Sequence, residues 1–407
     1  MLRHAGLLMA MLLICSRATL ADGVLLLAKT ALAPHELAVI VNDADPLSRE
    51  IADYYRRARA IPRVNLIHVR FAPGRAVLDR QVFAEVYRNV LADTPAHVQA
   101  YALAWTRPYR VGCLSITSAF ATGYDARYCT GDRRPASPCG ISGRSPYYAT
   151  ESSAPARDHG LRPTMLLAAE TLEDARRLID RGIAANASFP DGTAYLLSTS
   201  DRNRSVRDRA FAAIAETFEP LVRIEVLEQD QLVDRDDVLF YFTGVKRVAG
   251  LDSLQFLPGA VADHLSSAGG HMKRLGSPGQ MSSLRWLEAG ATGSYGTVIE
   301  PCNFTEKFPN PRLLMAHYLR GASLIEAYWK SVAWPGEGLF IGEPLAAPFS
   351  RRGQLAFDGS VAVLPPGALP PGHYALQSSE MPVGPYRDSG RTLSIRTLMG
   401  DEQTIDG

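Results

Sequence analysis

Short apolar runs recur along this chain, and most are followed by a stretch with apolar residues every three or four positions. Leu37-Ala-Val-Ile-Val41 reads as a buried parallel strand, because a strand covered on both faces shows a continuous apolar run. Asn42-Asp43-Ala44-Asp45 is then a loop, and Asp45 caps a helix with Pro46 at its first position. Leu47, Ile51, Tyr54 and Tyr55 form the inner stripe of that helix, with Arg56, Arg57 and Arg59 outside. Val64 to Val69 is the next strand. Asp79 caps a second helix, in which Val82, Val86, Val90 and Phe83, Tyr87, Leu91 recur at four-residue spacing, and Gln99 to Trp105 is a third strand. The order β-α-β-α-β predicts a parallel sheet.

From Thr106 to Pro163 the pattern stops. Thr171 then opens a helix with Leu172, Leu178, Ile179 and Ile183 inward, Ala194 to Ser198 is a strand, and Thr199-Ser-Asp201 is a polar loop. Val206 to Phe218 reads as helix and Val222 to Leu227 as strand. The central stretch, 238–301, reads as buried strand (Val238 to Thr243), loop, helix (Leu257 to Ser267), loop, helix and a Gly-rich segment ending in Glu300-Pro301. Pro311 to Arg320 and Ser323 to Lys330 are two helices broken at Gly321, and Leu339 to Ile341 is a short strand. No internal repeat or heptad shows in the sequence. The fold class expected is α/β: a mostly parallel sheet flanked by helices in three layers. Residues 22–350 form its domain, 106–163 a disulfide-held insertion at one end of the sheet, and 351–407 a C-terminal extension of partial β character with a loose end.

Composition adds the compartment. Apolar residues make up 46% of the 407 and charged residues 21%, which predicts a packed core. The formal net charge of +1 offers no general attraction for nucleic acid or anionic membrane. Arg3 and His4 precede an apolar run from Ala5 to Cys15, and Thr19-Leu20-Ala21 supplies small residues for cleavage, so residues 1–21 read as a signal peptide and the mature protein as exported, periplasmic or extracellular. No later stretch is long and apolar enough to span a bilayer. Of the five cysteines, Cys15 lies in that segment, leaving Cys113, Cys129, Cys139 and Cys302. Cys129 with Cys139 closes the shortest loop, with Cys113 then joined to Cys302 or free.

Several residues carry candidate chemistry. Asp263-His264 with Ser266 and Ser267 holds the residue types of a hydrolase triad, although on a helix Asp263 and His264 point about a hundred degrees apart. No Gly-x-Ser-x-Gly, His-Glu-x-x-His or Cys-x-x-Cys motif is present. Asp43, Asp45, Asp201 and Glu300 each follow a predicted strand and would hold a hard cation only if they met at one sheet end; capping and turn roles explain each singly. Glu300 closes an apolar run, so at the sheet rim its carboxylate needs a partner or a raised pKa. Gly290, Gly293 and Gly296 match neither dinucleotide nor phosphate-loop spacing and read as close backbone packing. No cofactor is implied. In the insertion, Tyr109, Arg110, Asp125 and Arg127 are the polar and aromatic candidates for contacts.

The segments Val41-Asn-Asp-Ala-Asp-Pro-Leu-Ser48, Phe240-Tyr-Phe-Thr-Gly244, Pro258-Gly-Ala-Val-Ala262, Gly296-Thr-Val-Ile-Glu-Pro301 and Gly342-Glu-Pro-Leu345 resemble those of a bacterial family of exported proteins to which no function is assigned. More distantly, the layout from Val238 onward resembles the caspase-like α/β fold of gingipain-type cysteine peptidases, where a His-Gly follows one core strand and the nucleophilic cysteine follows the next. Here Thr243-Gly244 stands at the first place and Ser266-Ser267 nearest the second. Threonine cannot replace imidazole as a base near neutral pH. The expectation is therefore a sheet whose peptidase dyad is absent, binding a ligand or an envelope protein at the strand ends. The rival is a hydrolase with Glu300 or Asp201 as acid/base and Ser266 or Ser267 as nucleophile, Thr243, Asp263 and His264 being the other candidate residues at the strand ends; a third reading is a metal-assisted hydrolase using the acidic loops. All three readings place these loops on one common rim.

Overall fold

The structure, a computed structural model, describes residues 23–26, 29–129, 139–272 and 279–351 and, in the C-terminal part, 354–357, 361–364, 369, 372–378, 387–396 and 403–406. The expected signal peptide lies outside these residues. So does the expected loose end, apart from Arg396 and Gln403–Asp406. Two compact units are present, one comprising Leu32–Tyr318 and Ser323–Pro348, the other Met1–Ala31, Leu319–Ala322 and Phe349–Gly407.

The larger unit is built on ten strands: β1 (Leu37–Asn42), β2 (Leu66–Val69), β3 (Ala100–Leu103), β4 (Thr164–Leu166), β5 (Thr193–Ser198), β6 (Arg223–Glu228), β7 (Arg235–Thr243), β8 (Leu254–His264), β9 (Gly293–Thr297) and β10 (Gly338–Gly342). Helices α1 (Pro46–Ala58), α2 (Arg80–Asp93), α3 (Ile116–Thr122), α4 (Leu172–Ala185), α5 (Phe211–Phe218), α6 (Leu284–Ala289), α7 (Pro311–Leu319) and α8 (Leu324–Ser331) lie between and around them. The caps are those the sequence predicts. Asp45 accepts from Leu47 N, Asp79 from Gln81 N and Val82 N, and Thr171 from Asp174 N.

The sheet runs in the order β6-β5-β7-β8-β9-β10-β4-β3-β1-β2. Every neighbouring pair within it is parallel except β9 and β10. The sheet is therefore mostly parallel and lies between helices, as the sequence predicts. The single antiparallel junction divides it into two half-sheets pointing in opposite directions. Read inward from each edge, the first half runs β2-β1-β3-β4 and the second β6-β5-β7-β8, the same order twice. A local device repeats as well. Ser48 Oγ accepts from Asn42 N, and Ser205 Oγ from Thr199 N, each at 2.9 Å and six residues on. The sequence shows no repeat because two such hydrogen bonds leave no periodic signature.

Aromatic packing and burial show what covers each face. Tyr318 of α7 packs edge-on against Phe240, and Trp329 of α8 stacks on Phe340 at 4.5 Å. On the other face Phe83, Val86 and Val90 of α2, Ile116, Ala119 and Phe120 of α3, and Leu284 and Leu287 of α6 share one core with Tyr101, Leu103, Leu339 and Ile341. Glu343, just past β10, is buried with Arg59 and Tyr55, and Tyr55 Oη donates to it at 2.6 Å.

Three expectations are corrected. Leu257 to Ser267 is not a helix: residues 254–264 are strand β8, paired with β7 on one side and β9 on the other. Pro258-Gly259 stands where the register against β7 shifts, which broke the strand pattern in the sequence. The stretch 106–163 is not a loop alone. It contains α3, whose residues Ile116 to Ala121 are buried, and two short strands at Arg110–Val111 and Leu114–Ser115. The disulfides join Cys113 to Cys129 and Cys139 to Cys302, rather than Cys129 to Cys139. The entropy of loop closure favours the shorter link in an unfolded chain, but the fold decides which thiols meet.

The smaller unit contains antiparallel pairs: Gly23–Leu26 with Gln354–Phe357, Val361–Leu364 with Gln403–Asp406, and Gly372–Ser378 with Arg387–Ile395. Among the described residues no helix is long and apolar enough to cross a membrane.

Candidate functional site

Because the half-sheets oppose each other, there is no common rim. The acidic loops after β1 lie at the trailing edge of one half, and those after β5 and β9 at the trailing edge of the other. Each acid is also locally engaged. Asp43 pairs with His68 at 2.8 Å, Asp45 caps α1, and Asp201 pairs with Arg204 at 3.0 Å. Glu300 is exposed and accepts from Cys302 N at 2.9 Å, so it caps a turn and has no need of the buried partner expected for it. Among the described residues no group of three or more His, Cys, Asp and Glu side chains is placed to hold a metal ion.

At the trailing edge of the second half-sheet the loops after β5 and β7 meet: Thr199 Oγ1 donates to Gly244 O at 2.7 Å, and a Cβ on Gly244 would stand 2.0 Å from Arg204 O. Arg207, in the turn after β5, lies beside this junction. Its guanidinium donates from Nη2 to Thr243 O at 3.0 Å and Asp263 Oδ1 at 2.5 Å, and from Nη1 to Pro309 O at 3.2 Å. Both members of the ion pair are buried, with side chains 4% and 2% exposed. Burial raises the Asp263 pKa and outweighs the opposing pull of Arg207. Two polar atoms of this cluster, Asp263 Oδ2 and Arg207 Nε, are buried without a hydrogen-bond partner among the described residues, as is Thr243 Oγ1 on the opposite face of β7.

On a strand, successive side chains face opposite ways. Asp263 therefore faces α7 and α8, while His264 faces α6. Trp286 Nε1–H donates to His264 Nδ1 at 3.0 Å, which puts the ring proton on Nε2. That nitrogen stands 3.2 Å from both Met281 O and Ser266 Oγ. An Nε2–H bound to a carbonyl is a donor and cannot take a proton from Ser266. Burial pushes the imidazole pKa down to about 4. Ser266 and His264 are thus close, but among the described residues no carboxylate joins them, since Asp263 is turned away to Arg207. Ser267, half-buried, follows in the same loop. Gly296 of β9 lies against this loop so closely that a Cβ would stand 2.2 Å from Gly269 C, in keeping with close backbone packing.

Two clefts flank this rim. One, of about 260 Å3, opens on the α7–α8 face beside Arg207, with Tyr148, Arg209, Glu306, Pro309 and Asn310 among its walls. The other, of about 230 Å3, opens on the α6 face between Arg247, Asp252, Gln280 and Arg285. Tyr148 belongs to the Cys-rich insertion, and Cys139–Cys302 ties that insertion to the segment carrying Glu306. Of the insertion's other candidates, Tyr109 is buried and stacks on His271, and Asp125 pairs with Arg127 at 2.7 Å.

Sequence reasoning missed Arg207, Trp286 and Tyr148. Arg207 and Trp286 sit in stretches that read as ordinary helix, and their partners lie 56 and 22 residues away. An arginine at the start of a post-strand helix, in a chain with a buried strand-end aspartate, was the one available signal for the first.

No family model matches the chain, and no curated protein matches it. Two solved structures resemble it: one described as a protease, with 11% identity over 86% of each chain and a TM-score of 0.37, and the complex of the pro- and mature domains of RgpB from Porphyromonas gingivalis, with 10% identity over 84% of this chain and 86% of that one and a TM-score of 0.37.

Proposed function

We propose that this is an exported, non-catalytic α/β protein that binds a ligand in the cleft beside Arg207. The observation that carries this reading is the state of His264, the imidazole nearest the strand-end serines. It is buried, both its nitrogens are engaged, and among the described residues no carboxylate orients it as a base. Thr243 at the end of β7 supplies no second base. The cleft of about 260 Å3 beside Arg207, by contrast, is open to a small ligand and carries exposed Arg209 and Glu306 on its walls. Export is supported by the pattern of residues 1–21 and by two disulfides, which persist in oxidising compartments.

The test is a screen of the purified protein against broad peptidase and esterase substrates, with Ser266→Ala and Ser267→Ala as controls. The expected result is no turnover above that of the controls. Turnover lost in either variant would overturn the non-catalytic reading and favour a serine hydrolase.

A further inference from the structure

The charges around the Arg207 cleft indicate what kind of ligand it takes. Arg207, in the cleft wall, uses Nη1 and Nη2 on protein oxygens and its side chain is 4% exposed, so the charges open to a ligand are those of its neighbours. Arg209, two residues on, is exposed on the cleft wall and has no ion-pair partner among the described residues. Glu306, on another wall-forming segment, is likewise exposed without an ion pair. One open cationic group and one acid thus line a small cleft whose remaining walls include Tyr148, Phe308 and Pro309.

We propose that the cleft holds a small ligand carrying one carboxylate and one amine cation, the carboxylate on Arg209 and the amine on Glu306. This rests on the binding reading above and narrows it to a ligand class. Such chemistry belongs to a free amino acid or to the C-terminal lysine of a peptide. Arginine holds carboxylates through charge-assisted hydrogen bonds, which are stronger than neutral ones.

The experiment is calorimetric titration of the full-length mature protein with glycine, L-lysine, Nα-acetyl-L-lysine and Nα-acetyl-L-lysine amide, alongside glucose and Nα-acetyl-L-alanine amide. The variants are Arg209→Gln, Glu306→Gln and Ala210→Trp, the last filling the cleft from an exposed position on its wall. Saturable binding is expected for the carboxylate-bearing amines and not for the lysine amide, with affinity falling roughly tenfold or more in Arg209→Gln and in Glu306→Gln. Glycine binding points to free amino acids, and Nα-acetyl-L-lysine binding alone to a peptide end. If no carboxylate-bearing probe binds, or binding is unchanged in Arg209→Gln, the ligand class is wrong. If glucose or the alanine amide binds instead and Ala210→Trp abolishes it, the cleft remains a binding site for another chemistry. If no probe of any class responds to Ala210→Trp, both the ligand class and the binding reading fail.

Discussion

His264 shows how far a residue's identity is from its role. Imidazole beside serine is the pairing from which hydrolase triads are built, and the sequence places Asp263, His264, Ser266 and Ser267 within five positions. Strand geometry separates the first two by a whole sheet thickness, and Trp286 takes the nitrogen a base would need. The buried ring then has a consequence for stability. In the unfolded chain a histidine takes up a proton near pH 6.5, whereas in the fold it does so only near 4. The stabilisation is complete above the unfolded value and is lost as pH falls through that window, by about 3 kcal/mol in all. Denaturant titrations from pH 7 to 4 are expected to show His264→Gln losing less stability on acidification than the parent protein by this order. Parallel curves for the two proteins would show that His264 titrates normally. The Arg207–Asp263 pair works differently, since removing one partner of a buried pair leaves an uncompensated charge, at a cost of about 3–5 kcal/mol.

Elements were legible in proportion to how much of their own burial they carry. Leu37 to Val41 could be read because a strand covered on both faces is a run of apolar residues, and all six residues of β1 are buried. Asp45, Asp79 and Thr171 could be read because capping is local chemistry. Strand β4 has three residues and α3 seven, too few for any period to show. Strand β8 was hidden by Pro258-Gly259 at its register shift. The disulfides were not legible at all, because sequence distance says little about which strand ends meet. Their sequence separations of 163 and 16 residues predict unequal contributions. Chain-entropy arguments give about 5 kcal/mol for the long loop and about 3 kcal/mol for the short one. Unfolding of Cys139→Ala/Cys302→Ala should therefore begin at lower denaturant than that of Cys113→Ala/Cys129→Ala. The reverse order would mean that the Cys139–Cys302 link adds little to a connection already made by Ala149 N→Lys330 O, Ser145 N→Ala333 O and Trp334 N→Glu306 O.

At the scale of the larger unit, the sequence correctly predicts a mostly parallel sheet between helical layers, but not that its halves oppose each other. One antiparallel pairing, β9 with β10, sends Asp43 and Asp45 to the edge opposite Asp201 and Glu300. Nothing local to either strand announces that choice; between the two strands the chain passes through α7 and α8, which pack against Phe240 and Phe340. What remains on the second rim is a buried guanidinium, a neutral imidazole and a cleft, and the account turns on that imidazole being unable to accept a proton from serine. Long-range nitrogen–proton correlation spectra of histidine-labelled protein measure this directly. His264 is expected to stay a neutral Nε2–H tautomer, with Nδ1 as acceptor, from pH 8 down to about 5. A His264 ring that titrates near pH 6.5, or that carries its proton on Nδ1 with Nε2 open to Ser266, would contradict it.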